Sequence, residues 1–216
     1  MTTIAIFGAT GRTGVLFVEK ALAAGHSVRA LVRNPKKMTV KHKNLHLITG
    51  DALNAADVQK TIAGADGVVS CLGQDAASQP DFQTRATRLI IAAMQQQGIR
   101  RLVSLTGGGV RDAARDKPGF MDNLIVFIMK NVAGKMAKNA LTDGISHAEA
   151  IKATNLDWTI ARGPMLTEDP AKGSYVVGDV GTVKGIKLTR TDLAEFMLRE
   201  FTEKKYLRQM PFVTNG

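Results

Sequence analysis

The sequence predicts an α/β fold in which helices cover both faces of one mostly parallel sheet. Short apolar runs alternate with amphipathic helical segments, the segments have the length of crossover connections, and glycines follow several of the runs. Strands that alternate with helices in this way form right-handed crossover units, so the sheet is expected to be doubly wound. Ligands of such sheets bind at the carboxyl ends of the strands.

The first half of the chain contains five predicted strands with helices between them. The strands are Thr3–Phe7, Ser27–Val32, Leu45–Thr49, Asp66–Gly73 and Arg101–Gly109. The helices are Thr13–Gly25, Ala55–Gly64 and Asp81–Gly98. Gly25 and Gly98 stand where glycine commonly ends a helix.

The alternation becomes less regular after Gly109. The predicted elements are a mixed apolar helical region over Pro118–Ala140, a helix over Ser146–Asn155, a sixth strand over Leu156–Pro164 and a last helix over Arg190–Phe201, capped by Thr189 or Thr191. The apolar region is interpreted first as part of the hydrophobic core. The alternatives are a flexible wall for a flat ligand and a dimer interface. No repeat or low-complexity linker interrupts the chain, so we predict a single domain over residues 1–216.

Composition is that of a globular protein, with 44% hydrophobic and 22% charged residues among 216. Cys71 is the only cysteine, so an internal disulfide is impossible and a reducing compartment is expected. The amino terminus shows no secretory leader, and the apolar run Leu124–Met129 is too short to span a bilayer. These features predict a cytoplasmic protein with no membrane partner.

The formal net charge of +10 favours anionic ligands. Only 5% of the residues are aromatic, and no arginine-rich tract is present, so we expect no nucleic-acid partner. The densest basic cluster, Arg33–Lys43, is either a solvated loop or part of an anion site.

The stretch FGATGRTG, Phe7–Gly14, connects the first strand to the first helix. Gly8 allows a tight turn, Gly11 allows backbone to approach a pyrophosphate, and Gly14 allows the helix to pack on the strand. The amino end of the helix offers free N–H groups to phosphates, and Thr10 and Thr13 add hydroxyl donors. The strand before the glycines and the helix after them predict dinucleotide binding by a Rossmann-like fold. Residues 1–109 are expected to form the core dinucleotide-binding half. Residues 110–216 are expected to supply the rest of the sheet, further helices and the substrate side.

Two arginines indicate which dinucleotide is bound. Arg33 ends the second strand, where NAD-specific sites carry an acidic residue for the ribose 2′-hydroxyl. Arg12 lies within the glycine loop, and the two guanidinium groups are expected to converge on a 2′-phosphate. Lys36 and Lys37 add positive charge nearby. The prediction is therefore NADP(H) rather than NAD(H).

Two further turns are expected in the same cleft. In GDALN, which contains Ala52 and Leu53, Asp51 is expected to accept from the adenine amino group, to cap the following helix, or to do both. In CLG, Leu72 and Gly73 follow Cys71, which we interpret as a small buried residue and not as a nucleophile. No metal site is predicted.

Seven motifs occur in the order found in small atypical short-chain dehydrogenase/reductases. They are IAIFGATGRTG, LVRNP, GDALN, VSCLG, LVSLTGGGV, LDWTIARGP and DLAEFMLREF. The chain resembles the NmrA-like NAD(P)H-binding proteins of that superfamily over nearly its whole length, and most resembles the biliverdin reductase B/flavin reductase type. The resemblance implies NADPH binding by the glycine loop and Arg33. It further implies that two segments line the nicotinamide end: Leu105, Thr106 and Gly107 of LTGGG, and Arg162, Gly163 and Pro164 of ARGPM.

The sequence departs from the superfamily at its catalytic dyad, a Tyr followed four residues later by Lys. Tyr175 is followed by Asp179 at that spacing and Tyr206 by Met210, so the dyad is absent. Three positions also differ from the relatives compared: Gly144 and Met165 replace histidines, and Gly107 replaces an active-site serine.

Few residues remain as candidates for catalysis. Thr106 is the candidate catalytic residue, with local hydrogen bonding at the strand end as the alternative. His147 is interpreted as a surface or capping histidine more readily than as a catalytic one.

The expected function is NADPH-dependent hydride transfer to a flat conjugated acceptor, a flavin, quinone or tetrapyrrole. Such acceptors spread the incoming charge and can take a proton from water, so positioning does most of the work. The alternative is a regulator that binds NADP(H) without turnover and acts through a protein partner. A monomer and a homodimer are both compatible with the sequence.

Overall fold

The computed structural model describes residues 1–74 and 78–216 of the chain. In this part of the chain the strands are β1 (Thr3–Phe7), β2 (Ser27–Val32), β3 (Leu45–Thr49), β4 (Gly67–Ser70), β5 (Arg101–Gly107), β6 (Asp157–Gly163), β7 (Met165–Thr167), β8 (Val176–Gly178), β9 (Lys187–Thr189) and β10 (Phe212–Thr214). The helices are α1 (Arg12–Ala23), α2 (Ala55–Ile62), α3 (Phe82–Gln96), α4 (Phe120–Asn131), α5 (Gly134–Lys152) and α6 (Arg190–Glu203), with a short 3₁₀ helix at Pro35–Lys37.

Eight of these strands form one sheet in the order β3-β2-β1-β4-β5-β6-β10-β8. All neighbours in the sheet are parallel except β10 and β8, which are antiparallel. Strands β7 and β9 form a separate parallel pair. The architecture confirms the predicted Rossmann-like, doubly wound sheet, and strands from both halves of the chain share it.

The side chains of β1 point alternately into two apolar clusters, one on each face of the sheet. Ile4 and Ile6 belong to the apolar cluster that includes residues of α1 and α6. Ala5 and Phe7 belong to the opposite cluster, which includes residues of α2, α3 and α5. Successive side chains of a strand point to opposite faces, so a five-residue apolar run can be buried on both sides.

The second half differs from the prediction mainly in its helices. The region Pro118–Ala140 divides at residues 132–133, where α4 ends, and α5 then runs unbroken to Lys152. The predicted interruption before Ser146 is wrong because Gly144 lies inside α5. A Cβ atom at Gly144 would lie 2.9 Å from Thr106 Oγ1 and 3.0 Å from Val110 Cγ2, so this glycine permits close packing and does not end the helix.

The middle of α5 supplies the cap of α3. The buried Asp143 carboxylate accepts from the backbone N–H groups of Gln83 at 2.8 Å and Thr84 at 2.9 Å, and from the Thr84 hydroxyl at 2.5 Å. It also accepts from the Gln74 side-chain amide at 2.6 Å. Asp81, the residue at the start of α3, provides no side-chain cap. A carboxylate from a neighbouring helix therefore stabilises the amino end of α3.

Candidate functional site

The carboxyl ends of the parallel strands border a cleft made of two adjoining cavities. The basic cavity, of about 450 Å³, lies beside the ends of β1, β2 and β3 and is lined by Arg33 and Lys37. The inner cavity, of about 390 Å³, lies between the glycine loop, the ends of β4, β5 and β6, and residues of α4 and α5. Both volumes fall within the range of small-molecule sites.

Most of the predicted site residues line this cleft. Those on the basic cavity are Gly8, Thr10, Gly11, Arg33, Asp51, Ala52, Cys71, Leu72 and Gly73. Those on the inner cavity are Gly11, Arg12, Thr13, Cys71, Leu72, Gly73, Leu105, Thr106, Gly107, Gly163 and Pro164. Four residues occur in both sets, so the two cavities form one continuous cleft. Gly14, Leu53 and Arg162 line neither cavity.

The glycine loop has the geometry that a pyrophosphate requires. Gly8 has φ +79°, and a Cβ atom there would lie 2.7 Å from the carbonyl carbon of Cys71. A Cβ at Gly14 would overlap the carbonyl oxygen of Gly8, so α1 packs directly on the turn. Gly11 precedes α1, no side chain caps that helix, and its first turn contains no acidic residue. Its N–H groups and positive dipole end are therefore available to an anion.

The basic cavity begins where β2 ends. Arg33, Asn34 and Lys37 line it, and the Asn34 side chain accepts from the N–H of Lys36 at 3.0 Å, which fixes the 3₁₀ turn. Asp51 lines the same cavity and accepts from the N–H of Leu53 at 2.8 Å.

The interpretation of Asp51 as a helix cap is wrong. Asn54 caps α2, accepting from the N–H groups of Ala56 and Asp57 at 2.9 and 3.2 Å. Asn54 stands directly before the helix, in the position from which a short polar side chain reaches these donors.

Arg12 lies in a different place from the one predicted. It lines the inner cavity, and its guanidinium donates to Glu168 Oε1 at 3.2 Å. The predicted convergence of Arg12 and Arg33 is therefore wrong, because the two side chains line different cavities. The cause is that Arg12 is the first residue of α1, whereas Arg33 follows the neighbouring strand.

A second arginine joins this corner of the inner cavity. Arg190, the first residue of α6, donates from Nε to Glu168 Oε1 at 2.7 Å and from Nη1 to the Thr13 hydroxyl at 3.4 Å. The hydrogen bond from Arg190 lowers the pKa of Glu168, so Glu168 is ionised at neutral pH. Sequence reasoning missed both residues, since 156 positions separate Arg12 from Glu168.

Gln83 and Cys71 form part of the inner cavity wall. The buried Gln83 amide donates to the carbonyl oxygens of Leu72 at 3.0 Å and Leu105 at 2.9 Å, which joins the ends of β4 and β5. Burial raises the pKa of the Cys71 thiol to about 12. The thiol is therefore protonated at neutral pH and is a poor nucleophile. Sequence reasoning missed Gln83 because its partners lie on two other elements.

His147 is fully buried beneath the cleft, so its interpretation as a surface or capping residue is wrong. Its Nδ1 lies 2.7 Å from the Thr87 hydroxyl and its Nε2 lies 3.1 Å from the Ser104 hydroxyl. Burial lowers the pKa of His147 to about 4, so the imidazole is neutral at neutral pH. It lines neither cavity, while Thr106, two residues beyond Ser104, does.

Arg162 has a structural role. Its side chain is fully buried and pairs with Asp116 at 2.5 and 2.9 Å, while Nε donates to the carbonyl of Met210 at 2.5 Å and Nη1 to that of Val110 at 3.1 Å. These bonds hold β10 and the segment after β5 behind the inner cavity. The next two residues of ARGPM, Gly163 and Pro164, line the inner cavity.

The inner cavity is poor in groups that transfer protons near neutral pH. Among the described residues, its ionisable lining consists of Arg12, Arg190 and Cys71. Tyr175 and Tyr206 lie elsewhere, in a groove beside α6. Within residues 1–74 and 78–216, no group of three His, Cys, Asp or Glu side chains is placed to hold a metal ion.

The predicted apolar region after Pro118 is not core. No residue of α4 is buried, although Met129 lines the inner cavity. In the described part of the chain, no helix combines the length and apolarity needed to cross a bilayer.

Comparison with known proteins agrees with the fold and the glycine loop. A profile of the family described as NAD(P)H-binding matches residues 8–204. UPF0659 protein C216.03 of Schizosaccharomyces pombe is 21% identical, with 100% of this chain and 91% of the relative covered.

Two solved structures share the architecture. One is a wide-type short-chain dehydrogenase/reductase of Veillonella parvula in complex with NADP, with TM-score 0.78, 16% identity and coverage of 99% of this chain and 94% of the other. The other is ChuY, an anaerobillin reductase of Escherichia coli O157:H7, with TM-score 0.77, 21% identity and coverage of 99% and 97%. The two structures show the shared fold, and the family match over residues 8–204 shows that the chain belongs to the NAD(P)H-binding family.

Proposed function

We propose that the protein is an NADPH-dependent oxidoreductase that transfers a hydride to a flat conjugated acceptor such as a flavin, quinone or tetrapyrrole. One observation carries the proposal: the inner cavity adjoins the glycine loop, and the lining side chains among residues 1–74 and 78–216 include none suited to general acid–base catalysis. Reduction of a simple ketone needs a proton donor for the forming alkoxide, whereas an extended conjugated acceptor does not need one from the protein.

The cleft fits a dinucleotide along its length. The open amino end of α1 suits the pyrophosphate, and within the loop Thr10 lines the basic cavity and Thr13 the inner cavity. Arg33 and Lys37 give the basic cavity the charge that a ribose 2′-phosphate requires, which supports NADPH over NADH. Asp51 lines that cavity with oxygens able to accept from an adenine amino group.

The acceptor is proposed to occupy the inner cavity. A bound nicotinamide cofactor would supply the hydride, and the chain contributes position and exclusion of water. Val110, Leu141 and Leu166 give apolar contact, and Met129 provides an adaptable wall. Thr106 offers a hydroxyl on the β5 side, where it can orient the acceptor or the carboxamide. The anaerobillin reductase activity of the Escherichia coli neighbour adds support for a tetrapyrrole among these acceptors.

The same scarcity of acid–base groups among the described lining residues favours a second candidate, a sensor that binds NADP(H) without turnover and acts through a protein partner. Both candidates predict cofactor binding, so only turnover separates them.

The test is oxidation of NADPH by the full chain in the presence of FMN, FAD, a quinone or biliverdin, with NADH in parallel. Turnover with at least one acceptor and a preference for NADPH supports the reductase. Micromolar or tighter NADPH binding without turnover on any acceptor contradicts it in favour of the sensor. Equal affinity for the two cofactors contradicts the assignment of NADPH.

A further inference from the structure

Helix α4 presents an apolar surface to solvent beside the inner cavity. The α4 surface consists of Phe120, Met121, Ile125, Phe127, Ile128 and Val132, whose exposure ranges from 40% at Ile128 to 81% at Phe120. Four of them, Met121, Ile125, Ile128 and Val132, follow the spacing of one helix face. Exposed apolar patches of this kind mark sites of protein or membrane contact.

The inner side of the same helix forms part of the cleft. A Cβ atom at Gly109 would lie 3.3 Å from Met129 Sδ, 3.8 Å from Val126 Cγ2 and 3.1 Å from Leu141 Cδ1. Met129 and Leu141 both line the inner cavity. The α4 surface is therefore the outer side of a cavity wall.

The other wall of the cavity carries exposed apolar side chains as well. Pro164 and Leu166 line the cavity, and Met165 between them is 57% exposed. The N–H of Met165 donates to the carbonyl of Ile186 at 3.2 Å, and Ile186 is 68% exposed. The α4 surface and this pair, the β7 lip, flank the inner cavity from two sides.

Lysines accompany both surfaces. Lys117, Lys130, Lys135 and Lys138 lie along or beside α4, and Lys184 and Lys187 lie beside the β7 lip. All six are exposed, and none forms a salt bridge with another residue among 1–74 and 78–216. Between residues 117 and 140 the sequence contains one acidic residue, Asp122, whose carboxylate accepts from the N–H of Gly119.

We propose that the α4 surface and the β7 lip dock on a bilayer surface rich in anionic phospholipid, with the inner cavity facing the bilayer. Exposed aliphatic and phenyl groups surrounded by unpaired lysines match an interface of acyl chains and anionic headgroups. A second copy of the chain fits less well, because a two-fold contact would bring both sets of lysines together on a molecule of net charge +10.

This docking revises the expectation of no membrane partner. That expectation rested on the length of the apolar runs, which concerns spanning a bilayer and does not concern lying on its surface. Docking goes beyond the proposed function, since it requires neither cofactor nor turnover.

The experiment is sedimentation of the full chain with vesicles of pure phosphatidylcholine and with vesicles containing 30% phosphatidylglycerol. We expect at least tenfold stronger partitioning onto the anionic vesicles, reduced by added salt. Ile128→Asp is expected to lower this partitioning at least tenfold. Leu207→Asp is the matched control, because Leu207 is 39% exposed and lies beside Arg208, which bonds to β6 near its amino end.

A second pair of variants tests the charge. Lys135→Gln with Lys138→Gln is expected to weaken partitioning about 25-fold, at about fivefold for each lysine. Lys41→Gln with Lys43→Gln removes the same charge from exposed positions before β3, away from the cleft, and is expected to have less than a threefold effect. Circular dichroism verifies that each variant is folded.

Three results would overturn the docking proposal. The first is equal partitioning onto neutral and anionic vesicles. The second is an equal loss of partitioning onto anionic vesicles in Ile128→Asp and Leu207→Asp. The third is a stable dimer in solution that Ile128→Asp converts to monomer, which would assign the α4 surface to a second copy. None of these results depends on turnover, so the reductase proposal is judged separately.

Discussion

Arg190 Nε donates to Glu168 Oε1 at 2.7 Å at the corner of the inner cavity where α1 begins. The Arg190 side chain is 11% exposed and that of Glu168 is 58% exposed. Glu168 thus pairs with both Arg190 and Arg12, the two arginines that line this corner beside the glycine loop. The pair links α6 and the segment after β7 to the dinucleotide site.

The first prediction concerns this pair. Arg190→Ala is expected to weaken binding of NADPH and NADH alike, by roughly tenfold to a hundredfold, because both share the pyrophosphate and charged hydrogen bonds are strong. Glu168→Gln is expected to tighten both by roughly two- to fivefold, since the carboxylate no longer competes for Arg12 and Arg190. Isothermal titration measures both affinities.

The control for Glu168 is Glu203→Gln, which removes an exposed carboxylate paired with Arg199 at 3.1 Å on α6. It is expected to leave cofactor affinity unchanged. Weaker binding in Glu168→Gln would show instead that the carboxylate orients the arginines.

The second prediction concerns the 2′-phosphate. Arg33→Ala is expected to weaken NADPH binding by roughly tenfold to a hundredfold and to change NADH binding less than twofold, because only NADPH carries the phosphate. Lys36→Ala is the control, since Lys36 belongs to the same turn and does not line the basic cavity. An equal loss for both cofactors in Arg33→Ala would contradict a role for Arg33 in discrimination.

The third prediction separates positioning from acid catalysis at Thr106. Thr106→Val removes one hydroxyl and is expected to lower kcat less than tenfold, the effect of one hydrogen bond. A general acid contributes roughly a hundredfold to ten-thousandfold. Steady-state rates with the best acceptor measure this, and a loss beyond a hundredfold with intact cofactor affinity would make Thr106 the proton donor.

The fourth prediction is a pH dependence of stability from His147. Its pKa lies at about 4 in the folded protein, whereas the unfolded chain binds the proton near pH 6.5. The contribution of His147 to the free energy of unfolding is complete above pH 6.5. It declines as the pH falls toward 4, by about 3 kcal/mol in total. Urea unfolding from pH 7 to pH 4 measures the decline.

His147→Gln serves as the comparison because an amide can still reach Thr87 and Ser104 without taking a proton. Its free energy of unfolding is expected to change less with pH than that of the parent over the same range. Identical slopes for the two proteins would contradict the assignment to His147.

Local sequence was sufficient to predict the parts of the fold that depend on neighbouring residues. The strand β1, the turn at Gly8 and the helix α1 follow one another without a gap, and each has its own pattern of residues. Thr189, one of two proposed caps, accepts from the N–H of Asp192 at 3.1 Å and caps α6. Strands β7 to β10 were missed, because three residues are too few for a period of two to be distinguished.

Features that join distant segments could not be predicted in this way. The resemblance of ARGPM implied a site role for Arg162, yet its partner Asp116 lies 46 positions away and the side chain is buried with it. The predicted helix began at Ser146 and left Gly144 outside it, whereas close packing against Thr106 and Val110 explains a glycine inside α5. A local pattern does not report which other element lies against a residue.

Asp143 connects several of the elements that surround the cleft. Its carboxylate joins α5 to Gln74 and to the first turn of α3, and Gln83 in that turn joins the ends of β4 and β5. Gln74 and Gln83 both line the inner cavity, so the same two residues that bond to Asp143 border the proposed acceptor site. One buried carboxylate thus fixes the position of α5 relative to the lining of the inner cavity.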